Sequence, residues 1–156
     1  MQERPLGKEK ISIREGKDAG VPGRVVILIA NDDMPFLVDT VGAELERMEH
    51  PALLLIHPIL TAKRDAGGRL TDLGDTEGDA KGGKLESLMH IEIAIEGEEM
   101  ADRVRDNLRA VLTDVRLSVT DWQALRRETA HFAADFDSAR PGVTAEQAKE
   151  VADFLR

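Results

Sequence analysis

The chain contains no cysteine and no tyrosine, and its rings amount to one tryptophan and four phenylalanines. Without cysteine there can be no disulfide, thiolate metal ligand or cysteine nucleophile. So few rings offer little on which bases could stack. Basic residues are also in the minority, 21 Lys and Arg against 30 Asp and Glu, for a formal charge of −9. That is the wrong sign for a phosphate backbone. No apolar run approaches the roughly 20 residues that cross a bilayer, and none follows the charged start Met1–Lys10 as a leader would. Nucleic acid and membrane are therefore not expected as partners, and the cytoplasm is the default compartment. What is present, 156 residues of which 42% are apolar and 33% charged, suffices for one domain with its own core.

The chain is organised around residues 25–41. Val25-Val26-Ile27-Leu28-Ile29-Ala30 is rich in β-branched residues and reads as a strand buried on both faces. Leu37, Val38, Val41, Leu45 and Met48 then recur at the spacing of one helix face. Asp32 or Asp33 is placed to cap that helix and Pro35 to sit in its first turn. A sharp strand-to-helix turn leaves N–H groups pointing outward, where an anionic ligand or a partner loop can lodge. The plain alternative is a capped helix start with no ligand.

Residues 1–9 are polar and expected to be disordered. Lys10–Glu15 alternates as a half-exposed strand does. Leu53–Leu60 is a second apolar strand, and Pro58 within it requires an edge position or a bulge. Residues 63–84 hold six glycines and ten charges that sum to zero, a composition that predicts a long flexible hairpin loop. Leu88–Ile95 alternates strictly, with Met89, Ile91, Ile93 and Ile95 toward the core and His90 and Glu92 the other way.

From Glu98 to Ser138 there is neither proline nor glycine. Val104, Leu108, Val111, Val115, Val119, Trp122, Leu125, Phe132 and Phe136 sustain one stripe at steps of mostly three and four. The period predicts a single helix about 60 Å long, in preference to a strand over 115–120. After Pro141-Gly142, Thr144 and Gln147 form a capping box for a last helix bearing Ala148, Val151, Ala152 and Leu155 on one side. That pattern has no stop signal before Arg156, which reads as a fragment of a longer polypeptide.

Strand, helix, strand, strand, helix is most of a split βαβ unit. With Lys10–Glu15 beside the central strand, the expected order is 10–15, 25–30, 88–95, 53–61. This is an α+β, ferredoxin-like antiparallel four-stranded sheet with helices on one face and a long C-terminal helical extension. The expected divisions are a domain over 10–120 and a helical extension over 121–156. Because 25–30 is apolar on both sides, the open face should also be covered.

Several blocks are recognisable in order. Asn31-Asp32-Asp33-Met34-Pro35-Phe36-Leu37-Val38-Asp39-Thr40-Val41 resembles the N-terminal signature of the large bacterial NAD-specific glutamate dehydrogenases. Leu-Ile-His-Pro-Ile at 55–59, Glu-Ser-Leu-Met-His-Ile-Glu-Ile at 86–93 and Val-Leu-Thr-Asp-Val-Arg at 111–116 are similar to it as well. So are Asp-Trp-Gln at 121–123 and the closing 152–156. Leu88 departs from the family pattern, which usually has Trp there. The resemblance implies a regulatory ACT-type domain, ahead of a catalytic part that oxidises L-glutamate to 2-oxoglutarate and ammonium with NAD. Within these residues there is no G-x-G-x-x-G and no lysine cluster beside a glycine loop. No cofactor is expected in this segment, NAD belonging to the catalytic part. The expected partners are other domains of the same polypeptide, a second copy in a homo-oligomer and an amino-acid effector.

Asp33–Leu37 also resembles the Asp-Arg-Pro-Gly-Leu turn of amino-acid-binding ACT domains, with Phe36 in place of the glycine. A ring there should fill or narrow the ligand pocket and turn 31–37 into a packing contact. A free-standing amino-acid sensor, binding at a subunit interface, is the alternative. His57 and His90, with Glu92 nearby, could hold a metal, but an interdomain polar contact is the simpler expectation and no metal is assigned. Asp75, Glu77, Asp79 and Glu86 match a calcium-loop count, though Ala80 replaces its glycine. Asp39 and Glu44 are expected to face solvent. Trp122, Leu125, Phe132 and Phe136 are expected to form a docking face.

Overall fold

In a computed structural model, residues 1–75, 82–94, 98–136 and 142–155 are described, apart from the side chains of 98–100, Gln123, Phe136 and Leu155. Six antiparallel strands form one sheet: β1 (Lys10–Glu15), β2 (Val25–Asp32), β3 (Ala52–Ile56), β4 (Ile59–Arg64), β5 (Leu70–Gly74) and β6 (Lys84–Ile93). The helices are α1 (Leu37–Arg47), α2 (Glu98–Phe136) and α3 (Ala145–Leu155). The strands run β1-β2-β6-β4-β5, with β3 also paired to β6. This is the order expected from the sequence, lengthened at one edge by β5.

β3 and β4 share one side of β6 end to end: β3 lies against His90–Ile93 and β4 against Lys84–Ser87. The break falls at His57-Pro58, where proline cannot donate to a ladder. Its carbonyl still accepts from Leu88 N–H at 3.0 Å. β5 corrects the expectation of a flexible loop over 63–84: Leu70–Gly74 pairs with Thr61–Arg64. The tight turn at 65–69 is closed by Asp65, whose carboxylate accepts from Gly67 and Arg69 N–H. Of the calcium-loop count, Glu77, Asp79 and Ala80 lie outside the described residues. Glu86 is engaged by arginines instead.

The core follows the alternation of β2 and β6. Ile27, Ile29, Met89, Ile91 and Ile93 are buried and share one face by register; Ile95 lies outside the described residues. Leu37, Val41 and Leu45 of α1 and Val104, Leu108 and Leu112 of α2 are buried as well. Each such side chain contributes about 1.5–3 kcal/mol. Asn107 of α2 reaches Met48 Sδ at 3.3 Å, and Arg109 lies 3.6 Å from Glu9. On the opposite face Val26 and Ala30 are buried too, as the doubly apolar β2 requires.

That second face is crossed at one end by the chain's own beginning, correcting the expected disordered 1–9. Leu70 N–H donates to Gln2 O at 2.7 Å and Arg4 N–H to Gly68 O at 3.0 Å. Gly68 holds φ +82°, and a Cβ there would stand 2.1 Å from Arg4 O, so only glycine lets the two backbones meet. The segment is anchored by the Arg4 side chain, itself buried.

α2 is one helix through 98–136; Asp137 and Ser138 lie outside the described residues. The chain divides into two compact units, Met1–Val115 and Arg116–Arg156. In the second, the capping box forms as expected, with Gln147 N–H donating to Thr144 Oγ1 at 3.2 Å and Thr144 N–H to Gln147 Oε1 at 3.0 Å. Ala133, Ala148 and Ala152 are its buried apolar residues among those described.

Candidate functional site

The strand-to-helix turn is built from both ends. Asn31 is fully buried, with Oδ1 accepting Asp32 N–H at 3.0 Å. Asp33 N–H donates to Leu85 O at 3.0 Å, which extends the pairing of β2 one residue beyond the strand. Met34 and Pro35 lead to Phe36, whose φ of +70° is left-handed. A non-glycine residue holds that conformation at a cost of roughly 1–2 kcal/mol. The backbone thus takes a conformation that glycine adopts readily, but with a ring attached. The ring is 66% exposed: it stands out into solvent instead of filling the turn.

This geometry corrects the expected cap. Phe36 is the N-cap and no side chain caps the helix; Pro35 precedes the first turn. Asp32 is drawn away because Arg4 Nη2 donates to its Oδ1 at 2.8 Å. Glu44 also departs from expectation. It is 8% exposed and grips Arg47 with both oxygens, at 2.6 and 2.8 Å. The hydrogen bond from Arg47 holds its carboxyl below the usual range despite burial. Asp39 is exposed as expected.

Beside the turn lies an ion network that sequence reasoning missed. Glu86 accepts from Arg4 at 2.8 Å and from Arg64 at 2.7 and 2.9 Å. All three side chains are under 5% exposed. Burial pushes the Glu86 carboxyl up, but the hydrogen bonds and charges of Arg64 and Arg4 outweigh it and leave the pKa lowered. Arg4 is likewise opposed by burial and held charged by Glu86 and Asp32. Such a network contributes little net stability, because desolvation offsets the attraction, yet breaking it is costly. No periodic pattern could have singled out Arg4, which stands in a polar tail.

The two histidines are not brought to one site. Ser87 and His90 are three apart on an alternating strand and so occupy opposite faces. His57 Nε2 lies 2.6 Å from Ser87 Oγ, while His90 Nε2 lies 3.2 Å from Glu92 Oε1. Ser87 is fully buried, so the pair ties the β3–β4 break to β6 and leaves no room for nucleophilic attack. Glu92 is also buried and bonded by Arg24; that bond, then the one to His90, lowers its pKa. Among the described residues no three His, Asp or Glu side chains gather as metal ligands. Also among them, no helix is long and apolar enough to cross a membrane.

In the second unit, Trp122, Leu125 and Phe132 are 57%, 62% and 56% exposed, at the i, i+3, i+10 spacing of one face. Arg126 lies over the Trp122 ring at 6.0 Å. The Phe136 side chain is outside the described residues.

A family model described as "Glutamate dehydrogenase, ACT1 domain" matches residues 1–108. This chain belongs to that family. The ACT1 assignment agrees with the ferredoxin-like sheet. Among curated proteins, an NAD-specific glutamate dehydrogenase of Pseudomonas aeruginosa is 32% identical over 130 residues, 81% of this chain. Another NAD-specific glutamate dehydrogenase, from Halomonas elongata, is 28% identical over 132 residues, 83% of this chain. The chain spans about 8% of the length of either relative.

Proposed function

We propose that this ACT1 chain is a non-catalytic regulatory and oligomerisation module of an NAD-dependent glutamate dehydrogenase. The whole protein would convert L-glutamate, NAD and water to 2-oxoglutarate, ammonium and NADH in the cytoplasm. NAD would bind in a catalytic part, and this module would contact other domains of the same polypeptide and a second copy. The observation that carries the reading is Phe36. An exposed ring on a strained left-handed residue is a poor solution for an isolated surface and a good one for a contact that buries it. Trp122, Leu125 and Phe132 supply a second apolar face for the same purpose.

The test is made in the full-length protein, with Phe36→Asp and with Trp122→Ser combined with Phe132→Ser. Both variants are expected to lower oligomer mass by light scattering while keeping most glutamate-dependent NADH formation per subunit at saturating substrate. Unchanged assembly in both would overturn the docking role. Glutamate-dependent NAD reduction by the purified 156-residue chain would overturn the non-catalytic assignment.

A further inference from the structure

β1 and β5 end the sheet, and β3 leaves a third edge, because among the described residues it pairs with β6 alone. The β4–β5 hairpin does not reach it: that register stops at Thr61 opposite Gly74. All five residues of β3, Ala52-Leu53-Leu54-Leu55-Ile56, are apolar, yet Leu53, Leu54 and Ile56 are 54%, 40% and 51% exposed. Leu54 and Ile56 stand opposite Glu92 and His90 on one face of the sheet, and Leu55 opposite Ile91 on the core face. The register shift between Ala52 and Leu54 leaves Leu54–Ile56 regular. An open edge presents N–H and C=O groups that another strand can bond, and charged side chains are a common defence against that. β3 carries none.

The other two edges are less open to self-pairing. β1 holds Lys10, Arg14 and Glu15. A two-fold pairing of β1 with itself about Ser12 would set Lys10 against Arg14, and one about Ile13 would set Glu15 against Ile11. β5 already bonds the N-terminal segment, Leu70 N–H donating to Gln2 O, and pairing about its middle residue would set Asp72 against Asp72. Like charges placed directly opposite destabilise a ladder. For β3, a two-fold pairing about Leu55 sets Leu54 against Ile56 and Leu55 against Leu55, apolar on both faces. It also bonds the open backbone rows of both copies in one closed contact.

We propose that β3 pairs antiparallel with β3 of a second copy of this chain, joining two sheets into one across Leu54–Ile56. The proposal rests on the oligomerisation reading in taking a second copy as the partner. It deepens that reading by assigning a contact separate from Phe36 and from the Trp122–Phe132 face.

The 156-residue chain is followed by analytical ultracentrifugation, amide exchange and NMR of mixed isotope-labelled and unlabelled copies. A dimer with a dissociation constant below about 1 mM is expected, with slow exchange over Leu54–Ile56 and contacts between Leu54 of one copy and Ile56 of the other. Leu54→Lys and Ile56→Lys, at exposed sites, should each weaken the dimer about tenfold or more. Leu73→Lys removes a leucine of β5 that is 50% exposed and should leave the dimer unchanged. The intermolecular contacts are read in the natural chain, so they decide the matter even where a lysine variant fails to fold. A monomer at about 1 mM, a dimer indifferent to both β3 variants, or equal weakening by Leu73→Lys would each overturn the pairing. So would protected Leu54–Ile56 amides in a monomer, which would mean the edge is covered from within the chain. Assembly lost through Phe36→Asp or the Trp122–Phe132 variant, with no β3 pairing, would leave the broader reading standing. Paired β3 strands with assembly unchanged in those variants would do the reverse.

Discussion

α2 carries one apolar stripe with two fates. Val104, Leu108 and Leu112 are buried within the unit that ends at Val115, whereas Trp122, Leu125 and Phe132, further along the same helix, are more than half exposed. Both groups recur at helical spacing, and all six side chains are apolar. What differs is the surface available to cover them: the first unit has a sheet whose β2 and β6 supply apolar residues, whereas the second offers, among the described residues, the short α3 with its buried Ala148 and Ala152. Periodicity tells which face of a helix is apolar; only tertiary context tells whether that face is buried.

The sharpest break of this comparison is to attack what holds the first unit together, its buried charge network. Glu86→Ala leaves Arg4 and Arg64 buried without their shared carboxylate and should cost about 3–5 kcal/mol in urea unfolding. The next contrast is direct. Leu108→Ala should cost about 2–5 kcal/mol, while Leu125→Ala, exposed on the same helix, should stay within about 0.5 kcal/mol. Equal losses would mean the outer stripe is covered in the isolated chain. Acid sharpens the contrast further. The Glu86 carboxyl is held below its ordinary value, so its contribution is present above the unfolded pKa of about 4.3 and is lost as pH falls through the lowered folded value. Melting temperature should therefore drop below about pH 4 more steeply in the natural chain than in Glu86→Gln. The one expected gain in stability belongs to Phe36→Gly. Relief of the left-handed strain, about 1–2 kcal/mol, is partly offset by the roughly 0.5–1 kcal/mol entropic cost of glycine. A gain of at most about 1.5 kcal/mol, read as a higher urea midpoint at unchanged slope, is expected.

The sheet was legible where side chains alternate or run apolar. β1, β2 and β6 and their order followed from period and β-branching, and α2 and the Thr144–Gln147 box from spacing and punctuation. β5 was not, because Leu70–Gly74 is short, glycine-flanked and exposed at the sheet edge, so no burial imprints a pattern on it. The N-terminal segment was hidden for a related reason: it is held by Arg4, by Arg64 donating to the Met1 and Gln2 carbonyls, by the Arg69–Glu3 pair and by backbone hydrogen bonds, none of which leaves a periodic pattern. At the turn, its location was readable but its wiring was not. Whether Asp32 caps a helix or receives a guanidinium depends on Arg4, 28 residues away, and no local rule reaches that far.

The packing of Arg4 against Gly68 bears on how this protein should be handled. A version shortened to begin past Leu6 would not be a trimmed copy of the same fold; it would expose one end of the sheet and leave Glu86 with a single guanidinium. A purification tag placed ahead of Met1 would emerge beside the β4–β5 hairpin.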